Sequence, residues 1–265
     1  MVTSTNTRLL RAAAAVFTAL GLAVGTPVAF ADPHALWDIV NGQCVPDQRM
    51  TGEPAPCALV DVDGGEPRGY AVLKDLVGAT QFLLIPTARI AGIESPEILD
   101  AAAPNYFADA WRARSYVEQR AGRGLPRDWM SLAINSSAAR SQNQLHIHIG
   151  CVRADVRDAL AARAVDIGPT WAPLSMPLAG QSYRAMAVDG DELDANPFRL
   201  LADGLAAGDS MGAQTLVVVG STGTDGRPGF VLLAGRADAA TPGSGHGEDL
   251  QDHVACPPPA EAVGK

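Results

Sequence analysis

The segment SQNQLHIHIGCVRAD, residues 141–155, carries two of the chain's five histidines one residue apart in a run of aliphatic side chains. Aliphatic and polar side chains alternate along it, which is the period of a half-buried β-strand. The aliphatic set is expected to face a core, while the other face carries Gln144, His146 and His148. Cys151 falls on the aliphatic face, so a mixed cysteine and histidine zinc site is not expected here.

Composition and charge limit the classes of function. The chain has 265 residues, of which 47% are hydrophobic and 18% charged, enough to form a substantial core. Residues 1–31 carry Arg8 and Arg11, followed by an apolar stretch that ends in Ala29-Phe30-Ala31, which is typical of a secretory signal peptide or an uncleaved membrane anchor. Either segment places the protein outside the cytoplasm. The remainder has 18 basic and 29 acidic residues, which disfavours nucleic-acid binding.

Four cysteines in an exported chain suggest two disulfides, for which three pairings are possible. A bridge from Cys44 to Cys57 closes the shortest loop. It would leave Cys151 to hold the C-terminal tail through Cys256. Free buried thiols are the alternative, and the chain has no C-x-x-C motif that would support a redox role.

The rest of the pattern predicts an α+β fold with antiparallel strand pairs. Residues 236–265 are small, polar and rich in proline, and they are predicted to be disordered apart from a tether at Cys256. The predicted strands, besides the histidine strand, are 58–62, 70–73, 81–85, 130–134, 182–188, 214–219 and 230–234. The predicted helices are 35–41, 97–120 with a break at Pro104, 154–165 and 192–205.

Two kinds of chemistry suit paired imidazoles on one strand face. A zinc site needs a third ligand, and the sequence offers none near His146 and His148. Nucleophilic catalysis needs only one neutral imidazole whose second nitrogen is held by a fixed acceptor, so that the ring can attack an activated phosphorus. His146 is the expected nucleophile, because it lies between two polar neighbours on the same face.

Two stretches resemble the histidine triad superfamily of nucleotide hydrolases and transferases: residues 70–93, YAVLKDLVGATQFLLIPTARIAGI, and residues 130–151, MSLAINSSAARSQNQLHIHIGC. Within that superfamily, residues 74–160 are most similar to the membrane-associated CDP-diacylglycerol pyrophosphatases. The resemblance implies a histidine-triad-like (HIT-like) antiparallel sheet with flanking helices over residues 32–165. Residues 166–235 would extend the same fold as a C-terminal α+β half.

The resemblance also implies roles for individual residues. The superfamily motif alternates three histidines with apolar residues, and Gln144 occupies its first position here. The nucleophile then maps to His146 and the third histidine to His148, while Gln144 can donate a hydrogen bond to phosphate but cannot titrate. The ribose-contacting acid maps near Asp75. The loop that would approach the phosphates contains Asn135, Arg140, Ser141, Gln142 and Asn143.

The implied activity is hydrolysis of CDP-diacylglycerol to CMP and phosphatidate at the outer face of a membrane, through a cytidylyl-histidine intermediate on His146. No cofactor and no metal ion are expected. Two alternatives remain open. One is an exported hydrolase or transferase of soluble nucleotides with the same nucleophile, and the other is a non-enzymatic exported protein that holds a metal on His146 and His148.

Overall fold

The structure, a computed structural model, describes residues 32–257 together with Met1. The predicted leader, residues 1–31, therefore lies outside the described residues except for Met1. Among the helices that are described, none combines the length and the apolar character needed to cross a bilayer.

The described part of the chain forms one antiparallel sheet of nine strands, in the order β1-β2-β3-β5-β4-β8-β9-β7-β6. Residues 166–235 contribute four of these strands, and β8 pairs directly with β4. One sheet thus runs through both predicted regions of the fold. The strands are β1 Leu59–Asp61, β2 Tyr70–Lys74, β3 Phe82–Pro86, β4 Met130–Ile134, β5 Ile147–Cys151, β6 Ala172–Pro173, β7 Tyr183–Asp189, β8 Gln214–Thr222 and β9 Pro228–Arg236.

The helices cover both faces of the sheet. On one face the core contains α3, α4 and α6. On the other face α1 and α2 pack over β1, β2 and β3, while α5 and the C-terminal segment pack over β8, β9 and β7. The helices described are α1 Ala35–Ile39, α2 Val45–Thr51, α3 Tyr106–Arg112, α4 Arg114–Ala121, α5 Ala154–Ala162 and α6 Pro197–Asp203.

Proline determines where two of the predicted helices begin. The helix expected over residues 97–120 starts only at Tyr106, after Pro104, and the side chain of Asn105 accepts a hydrogen bond from the backbone N–H of Ala108. The helix expected over residues 192–205 starts at Pro197, because proline suits the first turn of a helix but not its interior.

The histidine strand β5 lies inside the sheet, between β3 and β4. Its aliphatic side chains enter the core on the α3 side, so the predicted alternation is confirmed. The opposite face is also covered, and His148 is only 6% exposed. The expectation of a half-buried strand is therefore wrong, since the second layer on that face comes from distant parts of the chain.

Both predicted disulfides are present, one between Cys44 and Cys57 and one between Cys151 and Cys256. They favour an extracytoplasmic location, because such bonds persist in oxidising compartments. The prediction of a disordered tail is wrong as far as residue 257. A short 3-10 helix, Gly247–Leu250, packs there against the sheet, and Leu250 is fully buried.

The antiparallel α+β class is confirmed by this topology. The HIT-like assignment within that class stays a prediction. It rests on the resemblance of residues 70–93 and 130–151.

Candidate active site

His146 lies immediately before β5, where the loop from β4 enters the strand. Its Nδ1 is 2.7 Å from the backbone carbonyl oxygen of Gln144. A carbonyl oxygen can only accept a hydrogen bond, so Nδ1 carries the proton and Nε2 keeps its lone pair. The ring is therefore held in the tautomer that a nucleophile acting through Nε2 requires.

The surroundings of His146 keep the ring uncharged. Burial, and then the neighbouring His148, lower the pKa of His146 from 6.5 to about 4, although the Gln144 carbonyl and the carboxylates of Glu248 and Asp75 oppose this. The side chain is 7% exposed. At neutral pH the imidazole is consequently a neutral base with an available nitrogen lone pair.

His148 lies beside His146, with the ring centroids 5.0 Å apart and the ring planes at 68°. Its Nδ1 is 3.2 Å from a carboxylate oxygen of Asp75 and 3.5 Å from one of Glu248. Its Nε2 is buried, and no residue in the described range 32–257 supplies a hydrogen-bond partner for it. A buried polar atom of this kind is a position where a substrate oxygen can complete the hydrogen bonding.

Asp75 directly follows β2, and its carboxylate reaches His148. Burial by itself would raise the pKa of this carboxyl, but hydrogen bonds from the His148 ring and the Val77 backbone N–H, aided by the charges of His148 and Lys74, hold it below its ordinary value. The carboxylate is therefore charged beside His148. Its contact with ribose stays a prediction.

The C-terminal segment supplies residues that the sequence did not reveal. Glu248 approaches His148, and its other carboxylate oxygen accepts a hydrogen bond of 2.6 Å from the Asn135 side chain. The amide of Asn135 in turn accepts one from the backbone N–H of Glu248. Gln251 is buried and donates to the backbone carbonyl of His148 at 3.2 Å. The Cys151–Cys256 bond was the available signal, because it brings this segment to the end of β5.

The side chain of Gln144 is bound to the protein backbone. Its side-chain nitrogen donates to the carbonyl oxygens of Pro86 and Ala88, at 2.9 and 2.8 Å. Both hydrogens of the side-chain amide are thus engaged. The flipped orientation of this amide is disfavoured, because it would place the amide oxygen against the two carbonyl oxygens. To donate to phosphate, Gln144 would have to give up these two hydrogen bonds, and that role stays a prediction. Its side chain holds the end of β3 in place, and its backbone carbonyl orients His146.

Two polar side chains of the loop before β5 are engaged in contacts with other parts of the chain. Arg140 forms a 2.6 Å ion pair with Glu94. Gln142 accepts from the Leu36 backbone N–H and donates to the carbonyl of Asp32. The remaining predicted phosphate-binding residues in this loop, Ser141 and Asn143, are exposed, and the backbone N–H of Asn143 donates to Pro33.

These contacts attach the N-terminal segment of the described chain to the loop. Phosphate binding by Asn135, Arg140, Ser141, Gln142 and Asn143 stays a prediction. For Arg140 and Gln142 it would compete with the hydrogen bonds that their side chains already make.

A cavity of about 450 Å³ adjoins the same loop. It is lined by Ser137 and Ala138 and by residues of the segments 210–213 and 237–244, and neither histidine lines it. Among the described residues, no cluster of three or more histidine, cysteine, aspartate and glutamate side chains has the arrangement of a metal site.

Comparison with known proteins identifies the family. The family model described as CDP-diacylglycerol pyrophosphatase matches residues 31–257, which include every residue of the site. The chain belongs to this family. A relative from Yersinia pestis, described as CDP-diacylglycerol pyrophosphatase, is 43% identical over 227 residues, which is 85% of each chain.

Membership in this family makes the protein a hydrolase that acts on a phosphoric anhydride. The match extends from the start of the described residues to the C-terminal segment that carries Glu248 and Gln251. The C-terminal half and the segment after β9 are therefore parts of the family's fold.

Proposed function

We propose that the protein hydrolyses CDP-diacylglycerol to CMP and phosphatidate through a covalent cytidylyl intermediate on His146. One observation carries the mechanism: the 2.7 Å hydrogen bond from Nδ1 of His146 to the Gln144 carbonyl, which leaves Nε2 as the nucleophile. The family supports the pyrophosphatase activity. The two disulfides support action outside the cytoplasm.

In the first step, the lone pair on Nε2 attacks the phosphorus that carries cytidine. A P–N bond forms, and the bond from this phosphorus to the bridging oxygen breaks. Phosphatidate leaves with the electron pair. Because phosphatidate is a stable phosphate anion, its departure needs little help from an acid, and this accounts for a chain in which Gln144 cannot deliver a proton.

His148 would stabilise the phosphate oxygens in this step. Asp75 and Glu248 lie beside its Nδ1 and orient the ring, and its buried Nε2, which has no partner within residues 32–257, is given the role of donor to a phosphate oxygen. A donor placed in this way contributes about 3–4 kcal/mol to stabilising the transition state. In the second step, water attacks the same phosphorus and gives up a proton to solvent as the new P–O bond forms. The P–N bond breaks, its electron pair returns to Nε2 of His146, and CMP leaves the neutral ring.

The proposal is tested with CDP-diacylglycerol labelled in the phosphate next to cytidine. Wild-type protein quenched during turnover should carry acid-labile label, and His146→Asn should lose both label and turnover. His246→Asn, which removes a partly exposed imidazole of the C-terminal segment, is the matched control and should retain both. Turnover by His146→Asn at the wild-type rate would contradict the mechanism.

A parallel assay defines the substrate. Purified protein is given CDP-diacylglycerol and soluble CDP-alcohols at equal concentration, and release of CMP is measured. The lipid is expected to have the larger kcat/KM. Preference for the soluble compounds, with label still on His146, would keep the nucleophile but reject the lipid substrate.

A further inference from the structure

The turn between β2 and β3 exposes large apolar side chains beside the active site. Leu76 is fully exposed, and 57% of Val77 is exposed. Both follow Asp75, whose carboxylate contacts His148. Exposed residues of this size next to a site that acts on a lipid are candidates for contact with apolar ligand.

The turn is fixed by its own hydrogen bonds. A carboxylate oxygen of Asp75 accepts from the backbone N–H of Val77 at 3.0 Å, and the Lys74 ammonium donates to the carbonyls of Asp75 and Gly78 at 2.6 and 2.8 Å. Gly78 has a φ of +81°, which allows the chain to reverse toward β3. The apolar side chains are thus presented by an ordered turn and have no core to enter.

A third exposed apolar residue lies in a neighbouring turn of the C-terminal segment. Val254 is 84% exposed and follows His253, whose Nδ1 is 2.9 Å from the side-chain oxygen of Gln81. The same oxygen is so close to Gly78 that a side chain there would collide with it. The β2–β3 turn and the C-terminal turn at residues 252–255 therefore meet at Gln81.

Two cations adjoin these turns, although the whole chain has a net charge of -9. Lys74 precedes Asp75, and the Arg120 guanidinium is 3.4 Å from the carbonyl oxygen of Ala79. Exposed apolar side chains can enter the acyl region of a bilayer, and neighbouring Lys and Arg side chains can contact the phosphates of the lipid headgroups.

We propose that Leu76, Val77 and Val254 form a membrane-contact surface that inserts into the phospholipid bilayer carrying the substrate. Lys74 and Arg120 then face the lipid phosphates. This inference rests on the proposed lipid substrate and adds how the enzyme reaches it. Since Asp75 directly precedes the inserted residues, the headgroup of a lipid still in the bilayer lies close to His148 and His146.

Insertion is tested on the full chain with an environment-sensitive nitrobenzoxadiazole label on Leu76→Cys. Vesicles of phosphatidylcholine and phosphatidylglycerol should shift its emission to the blue. The matched control is the same label on Val165→Cys, a site that is 79% exposed and lies after α5; its emission should stay unchanged. This comparison holds whether or not the N-terminal segment anchors the protein, because only an inserted side chain enters an apolar environment.

Activity gives a second measurement. Turnover of CDP-diacylglycerol in vesicles is divided by turnover of a dispersed short-chain CDP-lipid. The double variant Leu76→Ser/Val77→Ser should have a ratio about tenfold or more below that of wild type, because it lacks two apolar side chains that insert into the bilayer. Val165→Ser should keep the wild-type ratio. The ratio also corrects for any loss of folded protein.

Three results would overturn the inference. They are an unchanged Leu76→Cys emission on vesicles, a blue shift already present without vesicles, and a wild-type ratio in the double serine variant. If wild-type protein hydrolyses the lipid but shows one of these, the contact surface alone is rejected. If wild-type protein does not hydrolyse CDP-diacylglycerol, the proposed function fails, whatever the label shows.

Discussion

Acid should destabilise this protein through His146 in particular. The ring is buried and neutral in the fold, with a pKa lowered to about 4 chiefly by burial and then by His148. In the unfolded chain the same histidine titrates at its ordinary value of about 6.5. Below that pH the unfolded state binds a proton that the folded state does not bind until about pH 4, so the free energy of unfolding must fall as the pH falls through this window.

The size of the effect follows from the two pKa values. A difference of about 2.5 units corresponds to about 3 kcal/mol, lost between pH 6.5 and pH 4. The depressed pKa of Asp75 acts in the same direction, because its charged form is favoured in the fold. That contribution remains when His146 is replaced, so the difference between wild type and His146→Asn isolates the histidine.

The assay is urea unfolding of wild type and His146→Asn at intervals from pH 7 to pH 4, with the disulfides intact. Whatever the free energy of unfolding of the variant at pH 7, its decline with acid should be smaller than that of wild type by about 3 kcal/mol over this range. His246→Asn serves as the control and is expected to follow the wild-type curve. Parallel curves for wild type and His146→Asn would refute the account of a buried neutral imidazole.

Two other substitutions test the surroundings of the site. Gln144→Leu should lower the free energy of unfolding by about 2–4 kcal/mol, because the carbonyls of Pro86, which is buried, and of Ala88, which is part-buried, lose the donor on this side chain. The variant should retain cytidylyl label on His146; loss of label with unchanged urea stability would show a direct catalytic role. Cys256→Ser should lower the free energy of unfolding by about 5 kcal/mol, because it breaks a disulfide that closes a loop of 105 residues. It should also lower turnover, because the segment that carries Glu248 is no longer held at the end of β5. Cys57→Ser, which opens 13 residues at the other disulfide, should cost about 3 kcal/mol and leave turnover per folded molecule unchanged; equal effects of the two on turnover would contradict the role of the tail.

Local pattern was sufficient for much of the fold. The alternation around His146 placed Ile147 and Ile149 in the core, and the short spacing of Cys44 and Cys57 pointed to the disulfide that forms. The hairpin of β8 and β9 follows from two apolar runs around a glycine-containing turn. These features depend on residues that are neighbours in sequence, so a single sequence contains the information.

The site depends on contacts that sequence spacing does not show. Glu248 reaches His148 from a hundred residues further along the chain, and Leu250 covers the same face of the sheet. The contacts of Gln144 could not be foreseen because its partners, Pro86 and Ala88, are also remote in sequence. Whether a polar side chain faces substrate or backbone is decided by where distant carbonyls lie.

Residue chemistry and short-range periodicity are enough to select His146 as the nucleophile candidate and to predict the antiparallel α+β class. They favoured the pairing of Cys44 with Cys57 among three possibilities, whereas the fold is needed to show Cys151 bonded to Cys256 across 105 residues. The interior position of the histidine strand and its cover by the C-terminal segment likewise come from long-range contacts. The physical reason is that these contacts set the chemistry of the site: burial keeps His146 uncharged, and the hydrogen bond to the Gln144 carbonyl fixes its tautomer. The C-terminal segment also brings Glu248 to the same nitrogen of His148 that Asp75 contacts.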